Sequence, residues 1–464
     1  MQESDSSGNL EVVVLAAGQG SRMRSALPKV LHQLGGRSLL DHVLTTVAGL
    51  EPTRVHVVIG HGAELVRTRT QLPVIWVEQD QQLGTGHAVS QALPGVDDSS
   101  TVLVVYGDVP LVSVDTLNAA CREAAEGNLA LITAEFSDPA QLGRIVRGPS
   151  GSVQAIVEYA DASEAQRGIT EINSGILALN AAAMKQLLRE VQPKNAQGEY
   201  YLTDLIELAV QNNIAVSAIA ALDPDEVTGI NDRVQLAQLE RIYQRNQAER
   251  LMQAGVTLAD PARLDIRGEV TAGPDCYLDI NVVLEGQVQL GCGVTIGPGC
   301  VIKDSELADG VNVAAHTVIE GAHVGEDCQL GPFARIRPGT VLAEQVKIGN
   351  FVETKKVQIG RGSKASHLSY LGDASLGEDC NIGAGTVTCN YDGINKHRTE
   401  IGDRVFVGTN STLVAPLTID SEAFVAAGST VTTRVGQSEL AVGRGKQRNI
   451  KGWVRPDQRK NEGS

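Results

Sequence analysis

Hydrophobic residues are spaced differently in the two halves of the chain. In the first half, short aliphatic runs alternate with segments whose apolar residues recur at helical spacing. The predicted strands lie at 12–15, 55–59, 74–77, 102–105 and 214–219, and the clearest predicted helices at 39–48, 116–125 and 232–254. Strands that alternate with helices form βα units, whose strands pair into a mainly parallel sheet. The pattern at 232–254 predicts a connecting helix.

Beyond Gly255, aliphatic residues recur every six positions, and many of them precede a glycine. This period fits neither an α-helix nor a hairpin and is typical of a β-helix, in which each short strand turns one aliphatic side chain to the axis. The in-phase positions are Leu278, Leu284, Leu290, Ile296, Ile302, Val324, Leu330, Ile336, Leu342, Ile348, Ile401, Val407, Leu413, Ile419, Val425 and Val431. Residues 389–400 interrupt the period, so we expect a loop there that reaches a neighbouring subunit.

These patterns predict four segments in the 464 residues. They are an α/β domain at 9–231, a linker helix at 232–254, a β-helix at 255–440 and a C-terminal arm at 441–464. The arm holds seven Lys or Arg and two acidic residues, in a chain whose net charge is −16. It is either a solvated tail or an arm that attracts anions.

Composition excludes several classes of protein. An excess of 55 acidic over 39 basic residues argues against nucleic acid and anionic membranes as general partners. No apolar run approaches the roughly 18 residues of a membrane span, and the acidic start is unlike a signal peptide. Seven cysteines without a C-x-x-C pair predict neither a disulfide framework nor a zinc ribbon. We therefore expect a cytoplasmic protein.

A glycine-rich segment at 15–23 directly follows the first predicted strand. Gly18 and Gly20 permit backbone N–H groups to approach an anion, and Arg22 and Lys29 add the positive charge that phosphoryl or nucleotidyl transfer requires. The glycines alone fit an ordinary tight turn as well, since neither common glycine-rich phosphate motif is present. The two basic residues shift the preference towards a phosphate site.

Asp108 is a candidate metal ligand. It follows the apolar run 102–106 and so lies at the carboxyl end of a strand, where ligands of open α/β sheets bind. Mg²⁺ usually takes one or two protein carboxylates and completes its shell with water and phosphates. On position alone, an Asp that caps the next helix or turn explains the residue equally well.

A basic cluster lies within the six-residue repeat. Its members are Arg335, Arg337, Lys355, Lys356, Lys364, His367 and Tyr370. Successive coils bring such residues together, so the cluster fits an anion pocket beside a histidine whose ordinary pKa of about 6.5 suits proton removal. A solvated basic face and a surface histidine are the alternatives.

Several motifs resemble known enzymes. The segment L-A-A-G-x-G-S-R-M followed by P-K is similar to the signature of sugar-1-phosphate nucleotidyltransferases, and the segments 82–86, 106–108, 156–159 and 171–175 fall in that family's order. Segments 363–370 and 381–391 resemble an acetyltransferase. Over about 9–455, the chain resembles the family of bacterial bifunctional N-acetylglucosamine-1-phosphate uridylyltransferases and glucosamine-1-phosphate acetyltransferases.

The resemblance implies a Rossmann-like α/β nucleotidyltransferase domain followed by a left-handed parallel β-helix. It implies acetylation of glucosamine 1-phosphate by acetyl-CoA, followed by Mg²⁺-dependent transfer of the uridylyl group of UTP to N-acetylglucosamine 1-phosphate. A cytoplasmic homotrimer that supplies cell-wall synthesis is also implied, with no nucleic-acid or membrane partner.

The resemblance also assigns residues of the first half. Arg22 and Lys29 would be catalytic, and Asp108 and Asn231 would hold the metal. UTP or the sugar product would contact Leu15, Ala16, Ala17, Gly18, Lys29, Gln79, Gly84, Thr85, Tyr106, Gly107, Asp108, Gly143, Glu158, Asn173 and Asn231. Thr85 fits a helix N-cap equally well, and Asn173 fits a turn residue.

In the second half, the resemblance makes His367 the base that takes the proton of the attacking amine. Arg337 and Lys355 would hold the phosphate, while Tyr370 and Asn381 would contact the sugar. The implied acetyl-CoA site consists of Ala384, Asn390, Tyr391, Thr409, Ala427 and Arg444.

The chain departs from the family pattern at three places. Ser21 replaces a usual Thr and Thr409 a usual Ser, and both keep a hydroxyl. Residues 139–142 lack the usual aromatic before Gly143, which leaves the shape of the loop beside the sugar open.

Two other functions compete. One is a nucleotidyltransferase for another sugar 1-phosphate with a purely structural β-helix, against which His367 and Tyr370 argue. The other is a non-catalytic regulatory subunit, which the presence of Arg22, Lys29 and Asp108 disfavours.

Overall fold

The computed structural model describes residues 9–458 and divides into two compact units between Asn246 and Gln247. Residues 459–464 of the predicted arm lie outside the described residues. Within the described range, no helix combines the length and the apolar character needed to cross a membrane.

The first unit alternates strands and helices. Its strands are β1 (Leu10–Leu15), β2 (Gln33–Leu34), β3 (Arg37–Ser38), β4 (Arg54–Ile59), β5 (Ile75–Glu78), β6 (Thr101–Tyr106), β7 (Leu129–Glu135), β8 (Arg144–Arg147), β9 (Val153–Val157), β10 (Glu171–Asn180) and β11 (Val216–Ala220). Its α-helices are α1 (Leu39–Ala48), α2 (Ala63–Arg69), α3 (Thr85–Ala92), α4 (Val114–Ala125), α5 (Glu164–Arg167), α6 (Ala181–Leu188), α7 (Asp204–Gln211) and α8 (Arg233–Gln253), of which α8 runs into the second unit. Short 3₁₀ helices lie at Ser21–Met23, Lys29–Leu31, Leu93–Gly95 and Pro224–Val227.

The main sheet has the strand order β11-β7-β10-β6-β1-β4-β5. Its neighbours are parallel except β10, which runs antiparallel to β6 and β7, while β8 and β9 extend the sheet as an antiparallel pair. The prediction of a mainly parallel α/β sheet is confirmed.

Alternate residues of β1, an interior strand, face opposite sides of the sheet. Val12 and Val14 pack into one hydrophobic layer, and Val13 and Leu15 into the other. Because both faces of β1 are buried, the carboxyl end of the strand has a fixed position.

One predicted strand begins too early. Ile214 belongs to the turn after α7, where its N–H donates to the carbonyl of Ala209 at 2.8 Å and Asn213 has a φ of +59°. The strand therefore starts only at Val216, because the helix end uses the backbone before it.

The second unit consists of short strands separated by tight corners. The strands are β12 (Thr257–Leu258), β13 (Leu264–Ala272), β14 (Tyr277–Leu278), β15 (Val282–Leu290), β16 (Thr295–Ile296), β17 (Val301–Leu307), β18 (Asn312–Val313), β19 (Val318–Glu320), β20 (His323–Val324), β21 (Gln329–Leu330), β22 (Arg335–Ile336), β23 (Val341–Leu342), β24 (Lys347–Asn350), β25 (Glu353–Ile359), β26 (Lys364–His367), β27 (Tyr370–Leu376), β28 (Asn381–Ile382), β29 (Val387–Cys389), β30 (Thr399–Ile401), β31 (Phe406–Val407), β32 (Thr412–Val414), β33 (Leu417–Ile419), β34 (Phe424–Val425), β35 (Thr430–Val431) and β36 (Leu440–Ala441). A 3₁₀ helix lies at Pro261–Arg263.

The strands of the second unit pair in parallel from one coil to the next. One interior column runs through Ile266, Leu284, Ile302, Ile319 and Ile336, all of them fully buried. Each such side chain stabilises the coil by roughly 1.5–3 kcal/mol relative to an exposed position. The predicted left-handed parallel β-helix of six-residue repeats is confirmed.

Residues 390–398 leave the coil between β29 and β30, as the interrupted period predicts. At the tip, Asp392 accepts hydrogen bonds from the N–H groups of Ile394 and Asn395 and from His397 Nε2, at 2.6 to 2.8 Å. These bonds hold the loop in a compact turn.

Candidate active sites

Two adjoining cavities lie at the carboxyl ends of the strands of the first unit. Their volumes are about 250 and 440 Å³, and Thr85, Tyr106 and Glu199 line both. The predicted residues around the smaller cavity are Leu15, Ala16, Ala17, Gly18, Lys29, Gln79, Gly84, Thr85, Tyr106 and Asp108. Those around the larger one are Thr85, Tyr106, Glu158 and Asn173. Tertiary structure thus brings residues from five separate motifs to one depression.

The glycine-rich loop between β1 and the first 3₁₀ helix borders the smaller cavity. Gly18 is exposed, and a Cβ there would meet no atom within 4 Å, so its backbone is open to a ligand. Gly20 has a φ of +62°, and a Cβ there would lie 2.6 Å from Cβ of Lys29. Gly20 therefore also permits the loop to pack against Lys29.

Four predicted side chains converge beside this loop. Nζ of Lys29 contacts Oδ2 of Asp108 and lies 3.2 Å from Oδ1 of Asn231, to which Nη2 of Arg22 donates at 3.0 Å. The two oxygen ligands, from Asp108 and Asn231, therefore already face the positive charges of Lys29 and Arg22. This donor set fits Mg²⁺, which takes few protein ligands. The capping alternative for Asp108 is wrong, because its carboxylate pairs with Lys29.

Within residues 9–458, no cluster of three or more histidine, cysteine and carboxylate side chains is arranged to hold a metal ion. Asp108 with Asn231 is therefore the pair to consider.

The larger cavity contains a carboxylate in a poorly solvated place. Burial raises the pKa of Glu158, and the nearby carboxylates of Asp161 and Asp204 add to the rise, while a hydrogen bond from Oγ1 of Thr203 at 3.3 Å opposes it. A Cβ on Gly143 would lie 3.2 Å from both carboxylate oxygens. Glycine at 143 therefore lets Glu158 approach the chain.

Tyr106 separates the two cavities. Burial raises the pKa of its phenol well above the usual range, and the charges of Glu158 and Asp108 act in the same direction. The hydroxyl therefore stays protonated and available as a donor. Gly107 directly follows, and its N–H donates to the carbonyl of Leu15 at 2.9 Å, which ties β6 to the glycine-rich loop.

Thr85 and Asn173 can now be assigned. The N-cap of α3 is Gly84, and Oγ1 of Thr85 accepts from the N–H of Leu202 at 3.0 Å, so the capping alternative is wrong. Asn173 lines the cavity and also has a turn role, since its Oδ1 accepts from the N–H of Gly175 at 2.8 Å.

The sequence did not indicate one wall of the cavities. Glu199, Tyr201 and Thr203 belong to the segment that precedes α7. Gln82, Gln141 and Tyr159, which lie in segments that the sequence did single out, also line the cavities. The segment before α7 is held by Tyr200, which donates to the carbonyl of Leu83 and accepts from Gly86, both at 2.8 Å. Gly84 fits only because it lacks a Cβ, which would lie 2.5 Å from the carbonyl oxygen of Tyr200. No local pattern signals this pairing of distant segments.

His367 in the second unit has one ring nitrogen engaged. Its Nδ1 lies 2.6 Å from Oδ1 of Asn350, which pairs with it across β24 and β26. An amide oxygen only accepts, so Nδ1 carries the proton and Nε2 keeps its lone pair. The exposed ring can therefore accept a proton through Nε2.

Positive side chains from the coils and from the 390–398 loop gather around Lys355. The neighbouring Lys396, and then Arg337, hold the pKa of Lys355 below its ordinary value. Arg337 itself pairs with Glu353, its Nη1 lying 2.6 Å from Oε1. The mutual repulsion of three cations marks a place where an anion is stabilised.

Residues assigned to acetyl-CoA occupy one corner of the last coils. Ala384, Thr409 and Ala427 lie in successive coils, and Nη1 of Arg444 donates to the carbonyl of Ala427 at 2.7 Å. Asn390 instead donates to Oδ2 of Asp373 at 2.5 Å.

Two other predicted residues of the second half adjoin the cationic group, since Tyr370 interacts electrostatically with Arg337 and Tyr391 forms a backbone bridge with Lys396. Asn381 lies elsewhere. Tyr391 is 60 % exposed on the 390–398 loop, and Asn381 lies on the sheet between Lys364 and Phe406. Tyr370 lies next to Glu353 in the neighbouring coil. Across the described chain, no hydrogen bond or ion pair joins His367 to the cationic group or to the acetyl-CoA corner.

Three family models match parts of the chain. The MobA-like NTP transferase domain matches residues 12–169, the GMPPB C-terminal domain matches 266–365, and the hexapeptide repeat of succinyl-transferase matches 398–433. The first match covers the glycine-rich loop, Asp108 and Glu158, and the last covers Thr409 and Ala427.

Curated relatives match nearly the whole chain. The bifunctional protein GlmU of Marinobacter nauticus is 57 % identical over 96 % of this chain and 99 % of its own length. Those of Alkalilimnicola ehrlichii and Pseudomonas entomophila are each 55 % identical, over 98 % and 97 % of this chain and 98 % and 99 % of their own lengths.

Proposed function

The chain belongs to the family of bifunctional GlmU proteins, and from that membership we propose how its two units divide the chemistry. The protein is a bifunctional enzyme of UDP-N-acetylglucosamine synthesis. It acetylates glucosamine 1-phosphate with acetyl-CoA and then joins N-acetylglucosamine 1-phosphate to the uridylyl group of UTP. The gathering of the predicted residues around the paired cavities carries this proposal.

In the first unit, the smaller cavity takes the uridine nucleotide and the larger one the sugar. The open backbone at Gly18 and the charges of Arg22 and Lys29 bind the phosphates. The carboxylate of Glu158 accepts hydrogen bonds from sugar hydroxyls, and Asn173 adds a side-chain amide. Gln79, Gly84 and Thr85 form the nucleotide wall.

Asp108 and Asn231 would hold Mg²⁺ in this unit. When bound, the ion offsets the charge of the two phosphorylated substrates. The residues of the chain contribute the rest: Lys29 and Arg22 stabilise the negative charge that develops on the transferred phosphoryl group, and the cavity walls align the sugar phosphate with it.

In the second unit, Nε2 of His367 takes a proton from the 2-amino group as its nitrogen attacks the thioester carbon of acetyl-CoA. The C–S bond then breaks, the amide is formed, and the leaving sulfur receives a proton. Arg337 and Lys355 bind the sugar phosphate, and Tyr370 and Asn381 bind the sugar. Ala384, Asn390, Tyr391, Thr409, Ala427 and Arg444 contact acetyl-CoA.

We propose that a homotrimer completes the acetyl-transfer site. Three observations support it. The predicted residues form separate groups that do not meet within one chain, the 390–398 loop leaves the coil, and an apolar corner lies beside Asn350 and His367. At that corner Phe333, Phe351 and Leu368 are 49, 56 and 61 % exposed, more apolar surface than a lone coil would present to water. Sedimentation equilibrium checks this, and a monomer at micromolar concentration contradicts it.

One assay tests the whole proposal. Purified protein receives glucosamine 1-phosphate, acetyl-CoA, UTP and Mg²⁺, together and with each omitted in turn. Thiol release should require only the first two, and pyrophosphate release should require all four unless N-acetylglucosamine 1-phosphate is supplied. Pyrophosphate release with glucose 1-phosphate but not with N-acetylglucosamine 1-phosphate would support the alternative of a different sugar substrate.

We further propose the limits 9–231, 232–254, 255–440 and 441–464 for the uridylyltransferase domain, the linker helix, the acetyltransferase domain and the arm. A cytoplasmic location follows from the two co-substrates, UTP and acetyl-CoA.

A further inference from the structure

Arg144, the first residue of β8, is a buried cation that forms no ion pair within the part of the chain that the structure describes. It is 2 % exposed and ranks among the largest fully buried side chains of the described chain. Its guanidinium donates to four main-chain carbonyls, those of Pro139, Ala140, Leu142 and Arg167, and the bond to Ala140 measures 2.9 Å. Burying a charge without an opposite charge costs free energy. We therefore expect the hydrogen bonds of Arg144 to do more than fill space in the core.

Three of the four carbonyls belong to the loop at 139–142, which carries Gln141 into the wall of the larger cavity. The next residue, Gly143, lies against Glu158, and its carbonyl accepts from the N–H of Asn173 at 2.9 Å. Arg144 therefore holds the loop that leads into Gly143, and Gly143 contacts both Glu158 and Asn173, the two residues that we assign to the sugar.

The backbone of this loop is strained at a residue that is hydrogen-bonded to Arg144. Ala140 has a φ of +43°, in the left-handed region that side chains with a Cβ avoid. The carbonyl of this residue accepts from Nη2 of Arg144, and its N–H donates to Oδ1 of Asp138 at 3.1 Å. Such a conformation persists only where neighbours enforce it.

Arg144 also reaches a second wall of the same cavity. Its guanidinium carbon lies 5.6 Å from the ring centre of Tyr159, and that of Arg167 lies 4.6 Å from it. Tyr159 lines the cavity next to Glu158. One side chain therefore fixes two walls, those formed by Gln141 and by Tyr159.

We propose that Arg144 is a positioning residue that sets the shape of the sugar cavity and so the affinity for the sugar phosphate. Resting on the proposed function, this identifies what orders the loop that lacks an aromatic residue before Gly143. The nucleotide cavity does not depend on it, since Gln141 and Tyr159, the two wall residues that Arg144 positions, line the sugar cavity and not the nucleotide cavity.

The test compares Arg144→Lys with Arg147→Lys in the full-length protein. Lysine keeps the charge, but its donors leave from a single nitrogen and cannot span four carbonyls. Arg147 lies on the same strand, where it pairs at the surface with Glu171 and lines neither cavity. The Michaelis constants for N-acetylglucosamine 1-phosphate and for UTP are measured separately.

For Arg144→Lys we expect the constant for the sugar phosphate to rise about tenfold, as a displaced cavity wall predicts, with that for UTP changed less than about twofold. Arg147→Lys should match the wild type in both. Equal rises in both constants, or a lower melting temperature with neither constant changed, would show a merely structural role and overturn the proposal.

A second variant keeps the proposal testable if Arg144→Lys folds poorly. Ala140→Gly removes the Cβ that opposes the left-handed conformation. Combined with Arg144→Lys, it should recover at least half of the lost sugar-phosphate affinity on a logarithmic scale, because the loop then reaches its shape without enforcement. No recovery by the double variant, in affinity or in folding, contradicts the positioning role. A wild type that does not use N-acetylglucosamine 1-phosphate would refute the proposed function instead.

Discussion

At the scale of single residues, neighbours decide where protons reside in both sites. Burial and two nearby carboxylates raise the pKa of Glu158. Oδ1 of Asn350, 2.6 Å from Nδ1 of His367, favours the tautomer that carries the proton on Nδ1. Each arrangement depends on a partner distant in the fold, and each makes a distinct prediction.

Glu158 should lose its charge at a higher pH than an ordinary glutamate. As the pH falls, the Michaelis constant for N-acetylglucosamine 1-phosphate should therefore begin to rise at a higher pH than an ordinary glutamate would produce, because a protonated carboxyl accepts fewer hydrogen bonds. The phosphate of the substrate also titrates near pH 6, so the profile is compared with that of Glu158→Gln. Parallel profiles for the two proteins would contradict a role of the Glu158 charge.

Asn350→Ala should slow acetyl transfer through the histidine. Without the amide oxygen, the proton of the ring is free to move from Nδ1 to Nε2. The lone pair of Nε2 is then no longer available to accept the proton of the amine. We expect kcat to fall about 10- to 100-fold, less than removal of the general base itself would cost, while the Michaelis constant for glucosamine 1-phosphate changes little. Asn350→Asp keeps an acceptor and should retain most of the rate. Equal loss in both variants would show that this hydrogen bond does not matter.

At the scale of elements, the start of α7 affects both the stability of the fold and the lining of the sugar cavity. Asp204 opens the helix directly after Thr203, which lines the sugar cavity. Burial, with the charges of Glu207 and Asp161, raises the pKa of Asp204 to about 6. An acid whose pKa is raised on folding binds a proton more tightly in the folded state, so stability falls as the pH rises through the interval from about 4 to 6.

Asp204→Asn should therefore stabilise the first unit at neutral pH. We expect the melting temperature, followed by the fluorescence of Trp76, to be about 2 °C higher than in the wild type at pH 7.5 and equal to it below about pH 4. Asp115→Asn is the matched control, since Asp115 is an exposed residue in the first turn of α4. It should gain nothing, because its carboxylate favours the helix N-terminus. A gain in Asp204→Asn that persists at pH 4 would exclude the ionisation mechanism.

At the scale of the whole molecule, two units with separate cores carry two chemistries. The buried aliphatic column of the second unit shares no residue with the two layers of the first. A change confined to one active site should therefore leave the other reaction intact.

Two substitutions test this independence. Asp108→Ala should abolish pyrophosphate release while thiol release from acetyl-CoA persists, and His367→Ala should do the converse. Loss of both reactions from either substitution, in protein that is still folded by circular dichroism, would contradict two separate sites.

Chelation separates the reactions in another way. EDTA should stop uridylyl transfer, because two phosphorylated substrates then meet without charge compensation, and it should leave acetyl transfer nearly unchanged. The developing charge in acetyl transfer is a thioester oxyanion, which hydrogen-bond donors stabilise. An acetyl-transfer rate that collapses on chelation, with the oligomer still assembled, would place a metal in the second unit.

The sequence by itself determined the two folds, because their signals are local and repeated. A run of β-branched residues predicts a strand from only a few neighbouring positions. Sixteen aliphatic positions in phase predict a coil in which each residue contacts its equivalent one turn later. The glycine-rich loop and Asp108 were also predictable, since both directly follow strands at the edge where ligands bind.

Only the tertiary structure decided which segments, distant in the sequence, together form one wall of the substrate cavities. The segment with Glu199 and Tyr201 has no motif of its own, and its place beside Gly84 follows from two backbone hydrogen bonds across more than a hundred residues. The burial of Arg144, the left-handed Ala140 and the raised pKa of Glu158 likewise arise from contacts between elements. Solvation and hydrogen bonding depend on what surrounds a group in space, and spacing along the chain does not record that.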